Sequence, residues 1–218
     1  MLETKNLILI GGGGHCKSVI CVAESAGYNI LGILDLPEKV GEKVLGYTIL
    51  GTDDHIPDYV SNALFLVTVG QIRDAETRIR IQKKIESFGG RLATLIAPSA
   101  VVSRHSEIGE GTVIMHHTMV NSDAKIGKGC IVNTFANIGH DVEVGDFCHV
   151  STGAKLNGNC IIGQKTFIGS QAALVNGISI ADECLIAAGA IVIKSIFQKG
   201  LYAGNPAVLK KTDFHASK

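Results

Sequence analysis

The chain has no tryptophan, four prolines, few aromatics (5%) and a formal net charge of zero. A nucleic-acid binder needs a basic stripe to displace counterions, and no basic cluster stands out, so no nucleic-acid partner is expected. Long apolar runs are missing too. The first, Leu7 to Gly11, is only five residues, far short of the roughly 20 that cross a bilayer. Met1 to Lys5 lacks the charged-then-apolar pattern of a secretory signal. The expectation is a cytoplasmic protein with no membrane partner. No CxxC pair or Cys/His spacing of the zinc type is present either, so no metal is expected.

What is present is a period. From Ile96 to Val192 every sixth residue is Ile, Val or Leu, seventeen times without a miss. Neither a helix nor an amphipathic strand holds that spacing, so the unit is a hexapeptide repeat and the fold a parallel β-helix. Neighbouring columns agree: the residue after each aliphatic is mostly Gly, Asn or Ser, and two places before it the side chain is nearly always small. Cys130, Cys148, Cys160 and Cys184 all fall in that small column, where Cys acts as a compact hydrophobe. Cys130 and Cys148 are eighteen apart and can stack in adjacent coils, but a cytosolic pair stays reduced.

Residues 1–90 read differently. Apolar runs at Leu7–Ile10, Ile30–Leu34 and Ala63–Val69 alternate with helical spacing over His15–Ala26 and about Asp74–Phe88. That alternation predicts a small Rossmann-like α/β half-domain with a parallel sheet. Residues 91–196 are then the β-helix and 197–218 a tail lying against its wall. The loop Gly11-Gly-Gly-Gly14 follows a strand and opens a helix, where backbone N–H groups and the helix dipole hold phosphate. It is not a complete dinucleotide fingerprint, since Cys16 stands at the third glycine position, and the Walker pattern is not complete either. Asp35 ends the second strand about twenty residues on, where an acid can bond a ribose or base.

In the repeat, His140 and Asp141 occupy outward corner places. A neutral imidazole oriented by an adjacent carboxylate is a plausible general base. His149 lies nine residues on, at the outer end of the next hexapeptide. His116 and His117 stand twenty-four residues before His140 and Asp141. That is not a whole number of three-hexapeptide turns, so they belong to a different edge and read as surface residues at a subunit contact.

Taken together, Ile10-Gly-Gly-Gly-Gly-His15, Val132-Asn-Thr134, Gly139-His-Asp141, Cys148-His-Val-Ser-Thr-Gly-Ala154 and Gly204-Asn-Pro-Ala207 resemble the NeuD/PglD group of bacterial sugar acyltransferases over nearly the whole chain. The resemblance implies a left-handed coil, a homotrimer with active sites at subunit interfaces, and acetyl-CoA as cosubstrate. It makes His140 the base tuned by Asp141, where many relatives have Glu. It assigns Gly13, Gly14, His15, Asp35 and Gly70 to the sugar nucleotide, and Asn133 to the same substrate. His149 matches the residue near the acetyl thioester, and Gly158, Ser170 and Ala188 match positions along the coenzyme A arm. Ala188 stands where relatives often have Gly, and Leu36 where some have a second Asp.

The implied reaction is N-acetylation of a nucleotide-linked amino sugar for a surface glycan (O-antigen, capsule or glycoprotein). The oxyanion donor is then His149 or a backbone N–H near Gly158. The alternative acceptor is a hydroxyl, of sialic acid or another sugar, with the same base. A γ-carbonic-anhydrase-type zinc enzyme would need a His-x4-His pattern, which the sequence lacks. A non-catalytic scaffold leaves the joint presence of His140, Asp141, His149 and the glycine loop unexplained, and a nucleotidyltransferase needs a larger N-terminal domain.

Overall fold

The computed structural model describes residues 5–212, so the signal-type reading of Met1 to Thr4 and the last residues of the tail lie outside it. The chain divides into two compact units, residues 1–70 with 76–98, and residues 71–75 with 99–218.

The first unit is an α/β sheet. Strand β1 (Asn6–Ile10) leads to helix α1 (Gly14–Ser25), then β2 (Asn29–Leu34), β3 (Lys43–Val44), β4 (Tyr47–Gly51), β5 (Leu64–Val67), α2 (Glu76–Ser87) and β6 (Arg91–Leu92). Spatial order is β3-β4-β2-β1-β5-β6, with β1 central and parallel to β2 and β5. Its continuous Leu7–Ile10 run is buried on both faces, as a central parallel strand requires. Helix α1 stops where Gly27 takes φ +74° and its N–H bonds back to the Glu24 carbonyl. The antiparallel β3–β4 pair was not legible in the sequence, because β3 is two residues long and carries no period.

Arg78, from α2, is one of the most buried side chains of the chain. Its Nη1 donates to the carbonyls of Val67 (3.0 Å) and Val69 (2.6 Å). The guanidinium thus satisfies backbone acceptors that β5 leaves behind as it runs into Gly70.

The second unit is a left-handed parallel β-helix of two-residue strands. Three stacks of parallel strands make three faces. Face one holds residues 101–102, 119–120, 137–138, 155–156, 173–174 and 191–192; face two holds 107–108, 125–126, 143–144, 161–162 and 179–180; face three holds 113–114, 131–132, 149–150, 167–168 and 185–186. Every residue pairs with the one eighteen places on, as Val113 with Ile131 and Lys125 with Glu143. The aliphatic column from Ile114 to Val192 and the small column fill one continuous core.

The small column does more than save space. Thr112 Oγ1 donates to Gly127 O (2.8 Å), Cys130 Sγ to Gly145 O (3.2 Å), Cys148 Sγ to Gly163 O (3.1 Å) and Cys160 Sγ to Val175 O (3.1 Å). Burial pushes the Cys148 thiol well above its ordinary value and raises Cys160 and Cys184 too, so these thiols stay protonated as donors. All six cysteines are free.

The tail adds to the stack rather than only lying on its wall. Leu201–Ala203 pairs in parallel with the strand at Leu185–Ile186, and Val208–Lys211 turns back antiparallel on it. Among the described residues, no helix is long and apolar enough to cross a membrane.

Arg78→Met should cost about 2–4 kcal/mol, since it strands buried carbonyls without a donor. The check is the urea midpoint followed by far-ultraviolet circular dichroism, with the helical signal of the first unit lost first.

Candidate active site

In the first unit, the carboxyl ends of β1, β2 and β5 open on a cavity of about 430 Å3. Gly13, Gly14, His15, Asp35 and Gly70, which the sequence singled out, all line it. Each glycine has its own reason. Gly11 takes φ +104°, and a Cβ there would stand 2.6 Å from Val69. A Cβ at Gly12 would press Asp35 Oδ2 at 3.0 Å. A Cβ at Gly13 or Gly14 would meet nothing within 4 Å, and Gly13 caps α1 with no side-chain bond. The N-terminal end of α1 therefore borders the cavity, the kind of place where a helix receives an anion.

Asp35 holds this loop in shape. Its Oδ2 accepts from Gly12 N–H (2.8 Å) and Lys39 Nζ (3.1 Å), and its Oδ1 from Leu36 N–H (2.8 Å). Burial pushes the carboxyl up, but the Gly12 and Leu36 N–H groups and the Lys39 ammonium outweigh it and leave it below its ordinary 3.8. Cys16, one turn into α1, is fully buried and its thiol is pushed up to about 11 by that burial, so it packs rather than reacts. Sequence reading missed Lys39, Asp53, Thr77 and Arg80 on the cavity wall. Arg80 meets Asp53 at 3.6 Å. They come from turn and helix-surface positions, where charge reads as solvated surface.

In the second unit, His140 and Asp141 sit at the edge between faces one and two. His140 Nδ1 lies 2.7 Å from Asp141 Oδ2, with both side chains about half exposed (55% and 51%). An ionised carboxylate only accepts, so Nδ1 carries the proton and Nε2 of the neutral ring keeps its lone pair. Asp141 adopts φ +58°, a left-handed conformation that Asp tolerates better than most residues. Neighbouring coils pin the turn: Asp141 N–H donates to Ser122 O, and Asn159 N–H donates to His140 O. Gly158 lies beneath the ring, where a Cβ would stand 2.4 Å from His140 Nε2. Its missing side chain is room for the imidazole.

The other candidates gather elsewhere. His149 is on face three, outside the coil core yet buried, with Phe167 edge-on at 5.1 Å. Its Nδ1 is 2.6 Å from Gln71 O, and its Nε2 is 3.5 Å from Asn133 Nδ2. Ser170, at the edge between faces three and one, bonds Ser151 Oγ at 2.9 Å, and Ala188 lies one coil further along that edge, exposed. Asn133, His149, Ser170 and Ala188 thus share one side of the coil, while His140 and Gly158 share the opposite edge. His116 and His117 are on the edge between faces three and one, separate from His140 as the repeat count required. His117 stacks on Phe135 (5.1 Å, 14°), itself 62% exposed. Gln71 carried no sequence signal, because it lies in an aperiodic stretch. Among the described residues, no group of three or more His, Cys, Asp or Glu could hold a metal.

Two substitutions probe these sites. Gly158→Ala should displace the His140 ring and lower kcat on the order of 10²-fold, the usual penalty for a misplaced reacting group. Asp35→Asn should loosen the glycine loop, since it takes the charge out of three hydrogen bonds. Because the Asp35 pKa is depressed on folding, its contribution to stability is full above its ordinary 3.8 and drains as pH falls through the lower folded value. Melting temperatures of wild type and Asp35→Asn should therefore differ near neutrality and converge in acid.

Residues 6–85 match the family model of the PglD N-terminal domain. The fold superposes on perosamine N-acetyltransferase PerB of Caulobacter crescentus, solved with CoA and GDP-perosamine: 31% identity, TM-score 0.87, 96% of this chain and 98% of that one. It also superposes on the acetyltransferase domain of PglB from Neisseria gonorrhoeae, solved with acetyl coenzyme A: 30% identity, TM-score 0.88, 95% of this chain and 100% of that one. WeeI from Acinetobacter baumannii AYE, at 24% identity and TM-score 0.85 over 95% of this chain and all of that one, shares the fold. No curated protein sequence matches the chain. With both units matched end to end at this level of identity, the chain belongs to the NeuD/PglD-type family of bacterial sugar acyltransferases.

Proposed function

We propose that the protein transfers the acetyl group of acetyl-CoA to the amino group of a nucleotide-linked amino sugar, in the biosynthesis of a surface glycan, with His140 as general base. The observation that carries this reading is the His140 corner. Asp141 Oδ2 lies 2.7 Å from Nδ1, and the absence of a side chain at Gly158 gives the ring its room. A relative at 31% identity is solved with CoA and a GDP-linked amino sugar, which supports both substrates.

The chemistry follows from the groups present. An ammonium has no lone pair, so the neutral amine must attack the thioester carbonyl carbon and lose a proton as it does. His140 Nε2 takes that proton, and Asp141 stabilises the imidazolium that forms. The new C–N bond forms, the C–S bond breaks, and the proton passes to the departing thiolate, giving the amide and the free thiol of CoA. No metal enters. In the first unit, the diphosphate of the acceptor suits the N-terminus of α1, with Lys39 and Arg80 adding positive charge at the rim.

The three-faced coil also bears on assembly. His140 occupies the edge between faces one and two, and His149 occupies face three opposite. One coil cannot bring both to a single thioester. A second copy, placing its face three and the Ser170–Ala188 edge against this chain's His140 edge, unites them, and three copies repeating that head-to-tail contact close a ring. The exposed Phe135 and His117 on the same edge fit such a contact. A cytoplasmic homotrimer is the assembly proposed.

The test is thiol release from acetyl-CoA over UDP-, GDP- and dTDP-linked amino sugars, with CMP-sialic acid and free sialic acid alongside. Turnover should appear on a nucleotide-linked amine and drop about 10²–10⁴-fold in His140→Ala. Turnover on sialic acid alone would move the reaction to a hydroxyl, and absence of CoA binding would sink the acyltransferase reading.

A further inference from the structure

The surroundings of His149 fix which of its nitrogens carries the proton. A backbone carbonyl can only accept, so the 2.6 Å contact between His149 Nδ1 and Gln71 O requires a proton on Nδ1. On the other side, the orientation of the Asn133 amide is set independently: its Oδ1 accepts from Thr134 N–H at 2.8 Å. That leaves Nδ2 as the group facing His149 Nε2 at 3.5 Å, a long contact whose polarity is donor toward acceptor. These two contacts are those of one tautomer, Nδ1–H with a lone pair on Nε2.

Gln71 is built to hold that carbonyl in place. The residue is 4% exposed, and its Nε2 donates to Phe147 O at 2.7 Å, two residues before His149. Side chain and backbone of Gln71 therefore grip the same strand at two points. Its Oε1 is buried with no hydrogen-bond partner among the described residues.

We infer that Gln71 is a positioning residue that locks His149 in the Nδ1-protonated neutral form, so that His149 meets the acyl donor as a hydrogen-bond acceptor through Nε2. The inference rests on the acyltransferase reading and deepens it. The amide N–H groups of the coenzyme A arm are donors of the kind Nε2 would take. A neutral ring held this way has no second N–H for an oxyanion, which removes one of the two oxyanion donors the sequence suggested for the thioester.

The first readout is the 15N spectrum of the ring nitrogens in histidine-labelled protein, with His149 assigned by its loss in His149→Asn. Wild type, free and with coenzyme A, should show a protonated Nδ1 and an unprotonated Nε2; a proton on Nε2 overturns the inference. Gln71→Ala should mix the tautomers, and a single unchanged tautomer would show that Gln71 does not set it. His149→Asn keeps a donor near Nδ1 and deletes Nε2. Its KM for acetyl-CoA should rise about tenfold, the loss of one neutral hydrogen bond, with kcat within threefold. A kcat loss of order 10² with KM unchanged is the signature of an oxyanion donor and overturns the acceptor role. If wild type fails to bind coenzyme A at all, the proposed function falls with it, whereas the other adverse outcomes leave that function standing.

Discussion

The backbone ladder that ties each coil residue to the one eighteen places on decides where every polar group of the second unit can stand. Each rung is a parallel pairing such as Asn137 with Lys155 or Ile131 with His149, closed by bonds such as Gly139 N–H to Leu156 O at 2.8 Å. With the ladder fixed, the side-chain positions form straight columns, and a corner residue has its neighbours dictated above and below. Gly158 lies under His140 for that reason alone. The imidazole needs space in its own column, and the column supplies it by giving up a side chain. The positive φ of Asp141, and of Asp123 and Asn159 along the same edge, is the backbone requirement of turning each corner. The carboxylate that orients the base is thus carried by a residue type that the turn itself accepts.

The first unit solves a different problem, holding a loop without side chains in one conformation. Four consecutive glycines lose more backbone entropy on ordering than any other residues would. The Asp35 carboxylate supplies three charge-assisted bonds that offset part of that cost. Arg78 stabilises the neighbouring strand end from below through two carbonyls. Both ionic groups bond backbone of the loop and strand ends, Asp35 with Lys39 as a further partner.

Legibility followed periodicity. The coil was readable because its spacing is rigid: Ile114 through Val192 repeat at six, and the corner places of His140 and Asp141 follow by counting. The glycine loop was readable because it lies between a buried apolar run and a helical one. What escaped notice has no period. Gln71 sits in a stretch without pattern, and nothing local says that its carbonyl faces a histidine 78 residues on. Lys39 and Arg80 look like ordinary surface charge until the sheet brings their elements to the same cavity. The burial of His149 escaped notice because its hexapeptide place is outward in an isolated coil, whereas the Gln71 backbone meets its ring.

The two histidines show how one ring is directed to two tasks. His140 and His149 both carry the proton on Nδ1, so both present Nε2 with a lone pair. Their anchors differ in charge. Asp141 is a carboxylate, and it stabilises the positive ring that appears when Nε2 takes a proton. Gln71 offers a neutral carbonyl, which accepts the Nδ1 proton without adding a negative charge beside the ring. The first environment favours a ring that changes charge during the reaction, and the second a ring that does not. Base and binding group are separated by the anchor on Nδ1, not by the identity of the side chain.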